Sequence, residues 1–240
     1  MSRRGRYDGR MRNPTSPIAT ICIILTLLTT AARAAAPTTK PHDFAKWEKA
    51  IAAFEEHDKI SPPPKGALLF TGASTITKWK TLEQDLPDQK VLNRAFGGSE
   101  IADVTHFADR MIFPCKPKAI YIRSGGNDIH AGKTVEQVFQ DYKDFVAKVR
   151  EKMPTTPIIF ISLSPSISRW NEADANKQLN QLIEQYSKQS PNLGYIDTWT
   201  VPLDSAGKPR PELFVEDKLH FSPEGYKLFA ERVKSQMPKM

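Results

Sequence analysis

Ala67-Leu68-Leu69-Phe70-Thr71-Gly72-Ala73-Ser74-Thr75-Ile76 is the stretch on which the fold turns. The apolar run from Ala67 to Phe70 has the length of a buried strand, and Pro62, Pro63, Pro64 and Gly66 separate it from whatever precedes it. Gly72 permits a tight turn from strand to helix. Ser74 then stands at a helix N-terminus, where unpaired N–H groups favour negative charge. Two roles are open to it: a nucleophile, or, like Thr75, a residue that caps the helix.

Working outward, the same alternation repeats. A helix is expected near Ile76 to Gln84, a strand near Val91 to Ala95, a helix near Ile101 to Met111 and a strand at Ala119 to Arg123. Val135 to Lys152 reads as a helix, Ile158 to Leu163 as a strand, Ala173 to Ser187 as a helix, Leu193 to Asp197 as the fifth strand and Glu224 to Gln236 as a closing helix. Upstream, Phe44, Trp47, Ile51 and Phe54 fall at helical spacing between Asp43 and His57, a helix that should pack on the domain. Strands alternating with helices imply an α/β chain: a five-stranded parallel sheet in a three-layer α/β/α sandwich, with ligands outside the carboxyl ends of the strands.

The chain has 240 residues, enough for one well-buried domain. Residues 1–34 read as an export signal: five arginines between Arg3 and Arg12, an apolar run from Ile18 to Leu28, and a small-x-small site at Ala32-Arg33-Ala34. That apolar core is nearer a dozen residues than the roughly 20 of a membrane span, so the expectation is cleavage, a periplasmic or secreted protein, and no stable membrane insertion. Residues 35–66 would form a leader and an N-terminal helix, and 67–240 the main domain. The segment 1–34 holds six arginines against one aspartate, so only +2 of the formal charge of +7 belongs to the remainder; a nucleic-acid partner loses its main argument. With Cys22 in the apolar run, Cys115 is left alone, which excludes an intramolecular disulfide and a cysteine-rich metal site. His42, His57 and His106 show no metal-ligand spacing. No metal and no organic cofactor is called for.

Chemistry-bearing residues gather where such a sheet would bind its ligand. Beyond Ser74, the second strand leads into Phe96-Gly97-Gly98-Ser99, where paired glycines let a backbone N–H approach a ligand, or simply form a flexible turn. The third ends in Gly125-Gly126-Asn127-Asp128, whose Asn127 amide can donate to a developing oxyanion or form an Asx-type turn. Before the last helix stands Asp217-Lys218-Leu219-His220, an acid and a candidate general base three apart. Arg169 and Trp170, after the fourth strand, are candidate substrate-binding residues on the same edge; Trp79 reads as core.

This ordered set of blocks, from about Ala67 to Gln236, resembles the SGNH (GDSL-like) hydrolase superfamily, named for its serine, glycine, asparagine and histidine. The resemblance implies a flavodoxin-like fold and a serine esterase. It gives Ser74 the nucleophile's place, Asp217 and His220 the rest of a catalytic triad, and the N–H groups of Ser74 and Gly98 with the Asn127 side chain the oxyanion hole. One departure stands out: Ala73 replaces the acid of the common Gly-Asp-Ser block. The α/β-hydrolase alternative requires glycine two residues after the nucleophile, where this chain has Ile76. The expected substrate is a small-molecule or carbohydrate ester, with a short acyl group such as acetyl. A lysophospholipase or thioesterase, and a carbohydrate-binding protein that lost catalysis, are the competing readings.

Overall fold

The computed structural model describes residues 42–239; the expected export signal and the first part of the leader lie outside the described residues. Five strands, β1 (Leu68–Gly72), β2 (Val91–Ala95), β3 (Ala119–Arg123), β4 (Ile158–Ile161) and β5 (Leu193–Ile196), form one parallel sheet in the order β2-β1-β3-β4-β5. The helices are α1 (Glu48–Ile60), α2 (Ser74–Thr77), α3 (Leu82–Asp85), α4 (Ile101–His106), α5 (Ala108–Met111), α6 (Gly126–His130), α7 (Val135–Lys152), α8 (Ala173–Gln189) and α9 (Pro223–Gln236).

Why the central strands are apolar at nearly every position follows from the layers. Successive side chains of a strand point to opposite faces, so a sheet covered on both sides needs apolar residues on both. In β3, Ile120 and Ile122 join a core with Leu69, Phe160, Tyr142 and Leu179 under α1, α4, α5, α7 and α8. Ala119 and Tyr121 face the other way, to a core with Phe70, Ile159, Trp79 and Phe229 under α2, α3 and α9. The result is the expected three-layer α/β/α sandwich. Among the described residues no helix is long and apolar enough to cross a membrane.

Two expected helices are each broken in two. Lys78 to Thr81 separate α2 from α3 because Trp79 turns into the core between Phe70 and Phe229, its indole Nε1–H donating to Asp85 Oδ2 at 2.6 Å. Phe107, 1 % exposed, interrupts the second between α4 and α5. The first helix is preceded by a single 3-10 turn, Ala45–Trp47. It is docked on the domain by ion pairs of Arg110 with Glu48 and Glu55, at 2.7 Å each, and of the buried Arg94 with Asp58. The segment after β3, read as a possible turn, is the helix α6.

The strand order reverses beside β1: the chain leaves it for β2 on one side and returns to β3 on the other. A crevice opens at such a switch point, outside the carboxyl ends of the two strands. Gly72 and Arg123 are paired there in register.

Candidate active site

β1 ends in a backbone conformation that only glycine fits. Gly72 has φ +115°, and a Cβ there would lie 2.1 Å from the Arg123 carbonyl oxygen. Its carbonyl accepts the Phe96 N–H at 3.0 Å and the Ser99 hydroxyl at 3.1 Å, tying the loop after β2 to the end of β1. Ala73 is extended and donates its N–H to Arg123 O at 3.1 Å. Ser74 is therefore the first helical residue and not a cap: no side chain caps α2. The Ser74 hydroxyl is engaged elsewhere, at 2.9 Å from His220 Nε2.

His220 is held by its own loop. Lys218 takes a left-handed conformation (φ +56°), the Val215 N–H donates to His220 O at 2.9 Å, and Phe214 and Phe221 bridge across the base of the turn. The turn folds the imidazole onto Asp217, whose Oδ2 lies 2.6 Å from His220 Nδ1. Asp217 Oδ1 accepts the backbone N–H groups of Leu219 and His220, both at 2.9 Å. Three-residue spacing thus works because one carboxylate both closes the turn and receives the ring. Burial pushes the Asp217 carboxyl up, but the His220 ring and the two backbone N–H groups outweigh it and bring it down to about 2. The carboxylate accepts from Nδ1–H, so Nε2 presents its lone pair to the serine hydroxyl.

Opposite these groups lie the candidate oxyanion donors. Gly98 (φ +84°) stands on the exposed loop after β2; its neighbour Gly97 runs close to Ser74, and the Trp47 ring covers the place a Gly98 side chain would take. Neither the Ser74 N–H nor the Gly98 N–H donates to a protein acceptor among the described residues. Asn127, on the first turn of α6, donates one Nδ2–H to Ser99 O at 3.0 Å and accepts from Arg169 Nη1 at 3.1 Å. The adjacent Asp128 is fully buried, accepts the Ile101 N–H at 3.2 Å and pairs with Lys133 at 3.1 Å, so it braces α6 against α4. Burial pushes its carboxyl up to about 6.

Ser74, Asn127, Arg169 and His220 line one small cleft open to solvent, with Asp217 behind His220. Gly98 and Trp170 are not in its wall. Trp170 begins a 3-10 turn (Trp170–Glu172) that leaves its ring 37 % exposed, with Lys208 Nζ 4.8 Å from the ring centroid. The lining also includes Arg123, Ser124, Ser164, Glu172 and Asn176, which the sequence reading did not single out. Arg123 is 6 % exposed; its guanidinium donates to Ser162 O at 2.5 Å, and burial brings it down to about 10. An arginine closing an otherwise apolar strand, Ala119-Ile120-Tyr121-Ile122-Arg123, was the signal available for it. Arg123 Nε, Ser124 Oγ, Glu172 Oε2 and Asn176 Oδ1 are buried without a hydrogen-bond partner among the described residues. No group of three or more metal-ligating side chains occurs among the described residues.

Comparison with known proteins agrees with this architecture. Residues 67–228 match the model of the GDSL-like lipase/acylhydrolase family. A sequence search of curated proteins gives no match. By structure, the chain is similar to a candidate platelet activating factor from Streptococcus pneumonia (19% identity, TM-score 0.71, covering 80% of this chain and 93% of that one). It is also similar to a GDSL-like lipase from Bacteroides thetaiotaomicron (15% identity, TM-score 0.65, 80% and 97%). A third similar structure is an acetylxylan esterase from Geobacillus stearothermophilus, solved as a catalytic mutant (16% identity, TM-score 0.57, 73% and 96%). At these identities the structural likeness speaks for the fold, whereas the family match spans two thirds of the sequence: this chain belongs to the GDSL-like lipase/acylhydrolase family of ester hydrolases.

Proposed function

We propose that the protein is an exported serine esterase that removes a short acyl group, such as acetyl, from a carbohydrate or similarly polar alcohol. The observation that carries the reading is the chain of contacts Ser74 Oγ, His220 Nε2, His220 Nδ1, Asp217 Oδ2, at 2.9 and 2.6 Å. His220 Nε2 takes the Ser74 proton as Oγ attacks the ester carbonyl. The carbonyl oxygen becomes an oxyanion held by the N–H groups of Ser74 and Gly98 and the Asn127 Nδ2–H. His220 then gives its proton to the departing alcohol oxygen, leaving an acyl group on Ser74. Water, deprotonated by the same nitrogen, attacks the acyl-enzyme and releases the acid, and the proton returns to Ser74. Asp217 stays ionised far below neutrality and stabilises the imidazolium throughout. No step requires a metal or organic cofactor.

The choice of a polar substrate rests on the cleft wall. The polar side chains of Arg123, Ser124, Ser164, Glu172 and Asn176 contribute to that wall, and polar groups lose solvation under a ligand that offers them no hydrogen bonds. Sugar hydroxyls meet that demand and a long alkyl chain does not. A similar fold serves an acetylxylan esterase. The test is hydrolysis of nitrophenyl esters from acetyl to long acyl, with acetylated sugars alongside. Turnover should be highest for acetyl and fall with chain length; a maximum at long chains would replace this reading with a lipase-like one, and binding without any hydrolysis with a carbohydrate-binding protein.

Export is supported by the arginine cluster, the apolar run and the Ala32-Arg33-Ala34 site. Expressed in full in a Gram-negative host, the protein should be recovered outside the cytoplasm with Ala35 as its first residue. A cytoplasmic product that still carries residues 1–34 would exclude export and cleavage.

A further inference from the structure

We infer that Arg169 is a positioning residue that sets the polarity of the Asn127 amide, acting through it on the oxyanion and not on the substrate; this rests on the esterase reading above. A side-chain amide can sit in its place in two orientations that exchange oxygen for nitrogen, and only one presents N–H to a developing oxyanion. Here both ends are constrained. A guanidinium can only donate, so the atom 3.1 Å from Arg169 Nη1 must be the amide oxygen. A backbone carbonyl can only accept, so the atom 3.0 Å from Ser99 O must be the amide nitrogen. With oxygen and one N–H so engaged, the second N–H has no protein acceptor among the described residues, and Asn127 lines the cleft beside Ser74.

The bond to Arg169 also does more than fix orientation. A cation on the amide oxygen draws electron density from the nitrogen and makes its N–H a better donor, an effect that grows where water is excluded. Arg169 Nη1 reaches Gly126 O as well, at 3.4 Å, so the same side chain spans from the loop after β4 to the first turn of α6. Family membership by itself points to the asparagine; the partner that orients it is visible only in this arrangement of side chains.

A double-mutant cycle on acetyl nitrophenyl ester, a neutral substrate, tests the inference with the full chain. Arg169→Ala should lower kcat by about tenfold or more while KM stays within about twofold, since a hydrogen bond to a charged group is lost from a transition-state donor. Asn127→Ala alone should cost about a hundredfold to a thousandfold, and adding Arg169→Ala to it should cost nothing further. Arg169→Lys, which keeps the charge but loses the planar fork, should recover part of the loss. A raised KM at unchanged kcat would make Arg169 a substrate contact and overturn the inference, as would an undiminished loss in the Asn127→Ala background. The inference can also be read without turnover, so its failure is separable from failure of the esterase reading. Nitrogen NMR of the Asn127 side chain should show N–H signals protected from solvent exchange that lose protection in Arg169→Ala; unchanged protection overturns the inference whether or not the chain hydrolyses esters.

Discussion

Ser74→Ala is expected to lower ester turnover by about five to six orders of magnitude while leaving the fold as stable as before. The size of the loss follows from how the groups act together. Removing the hydroxyl removes the bond-forming atom and leaves His220 with no proton to take, so what remains is the contribution of the oxyanion donors and of binding, about a thousandfold to ten-thousandfold over water. The unchanged stability follows from local structure. The Ser74 hydroxyl caps nothing, its one partner is a half-buried imidazole, and an alanine at the first helical position suits the backbone already there. Substitutions of this kind shift stability within about 0.5 kcal/mol. Kinetics with the acetyl ester, a melting curve and labelling by a serine-directed phosphonate measure the three consequences. The unsubstituted chain should be labelled once and the variant not at all. Retention of more than a hundredth of the turnover would mean that another group attacks the ester.

Asp217 bears on the same chemistry through pH. Its folded value of about 2 lies below the ordinary aspartate value of 3.8. A depressed carboxyl adds stability at pH above its unfolded value, and that contribution is lost as pH falls through the interval between the two. The Asp217 carboxyl is therefore ionised throughout the neutral range. Asp128 has the opposite sign. Its folded value of about 6 exceeds 3.8, so its burial is costless in acid and destabilises increasingly as pH rises from about 4 to 6. The pair with Lys133 and the Ile101 N–H partly offset that cost.

Long, strongly patterned segments were legible in the sequence. The helix expected at Val135 to Lys152 has those bounds in the structure, and its start is fixed by a reciprocal capping box of Thr134 and Gln137, a local signal. All five strands lie within about two residues of the stretches expected for them. What failed was set by tertiary packing. Trp79 and Phe107 break their helices because each is drawn into a core that the local pattern does not describe. α6 was open to reading as a turn because Gly-Asn-Asp is poor helix material; it is helical because Asp128 and Lys133 hold it on α4. The strand order is likewise absent from any alternation of strands and helices. Ser74, Asn127, Asp217 and His220 come together at one cleft because each sits where a sheet of this kind exposes its loops. Glu172 and Asn176 were missed because, at the start of α8, they resemble any polar helix residues. Trp170 opens the turn that follows Arg169 and does not enter the cleft wall.

The residue that joins fold to chemistry most tightly is Gly72, and Gly72→Ala should be the most damaging single methyl in the described part of the chain. Two costs add. At φ +115° an L-residue is strained by about 1–3 kcal/mol. The new Cβ would also stand 2.1 Å from Arg123 O, a backbone atom of the neighbouring strand that cannot rotate away, and overpacking of this kind costs about 1–3 kcal/mol. Together about 2–6 kcal/mol should be lost, a fall of about 10 °C in Tm for a domain of this size. Gly66→Ala separates the two costs: Gly66 has φ +69° but nothing within 4 Å of its would-be Cβ, so only the conformational cost remains. Relief of the overlap must widen the β1 and β3 spacing at the point from which Ala73 and Ser74 depart, and a misplacement of about 1 Å at a reacting atom costs roughly a hundredfold in rate. Folded Gly72→Ala protein, assayed well below its lowered Tm, should therefore turn over the acetyl ester about a hundredfold more slowly, with Gly66→Ala at the unsubstituted rate. A Gly72→Ala variant that melts and reacts like the parent chain would show that the strand spacing at Arg123 does not govern where Ser74 stands.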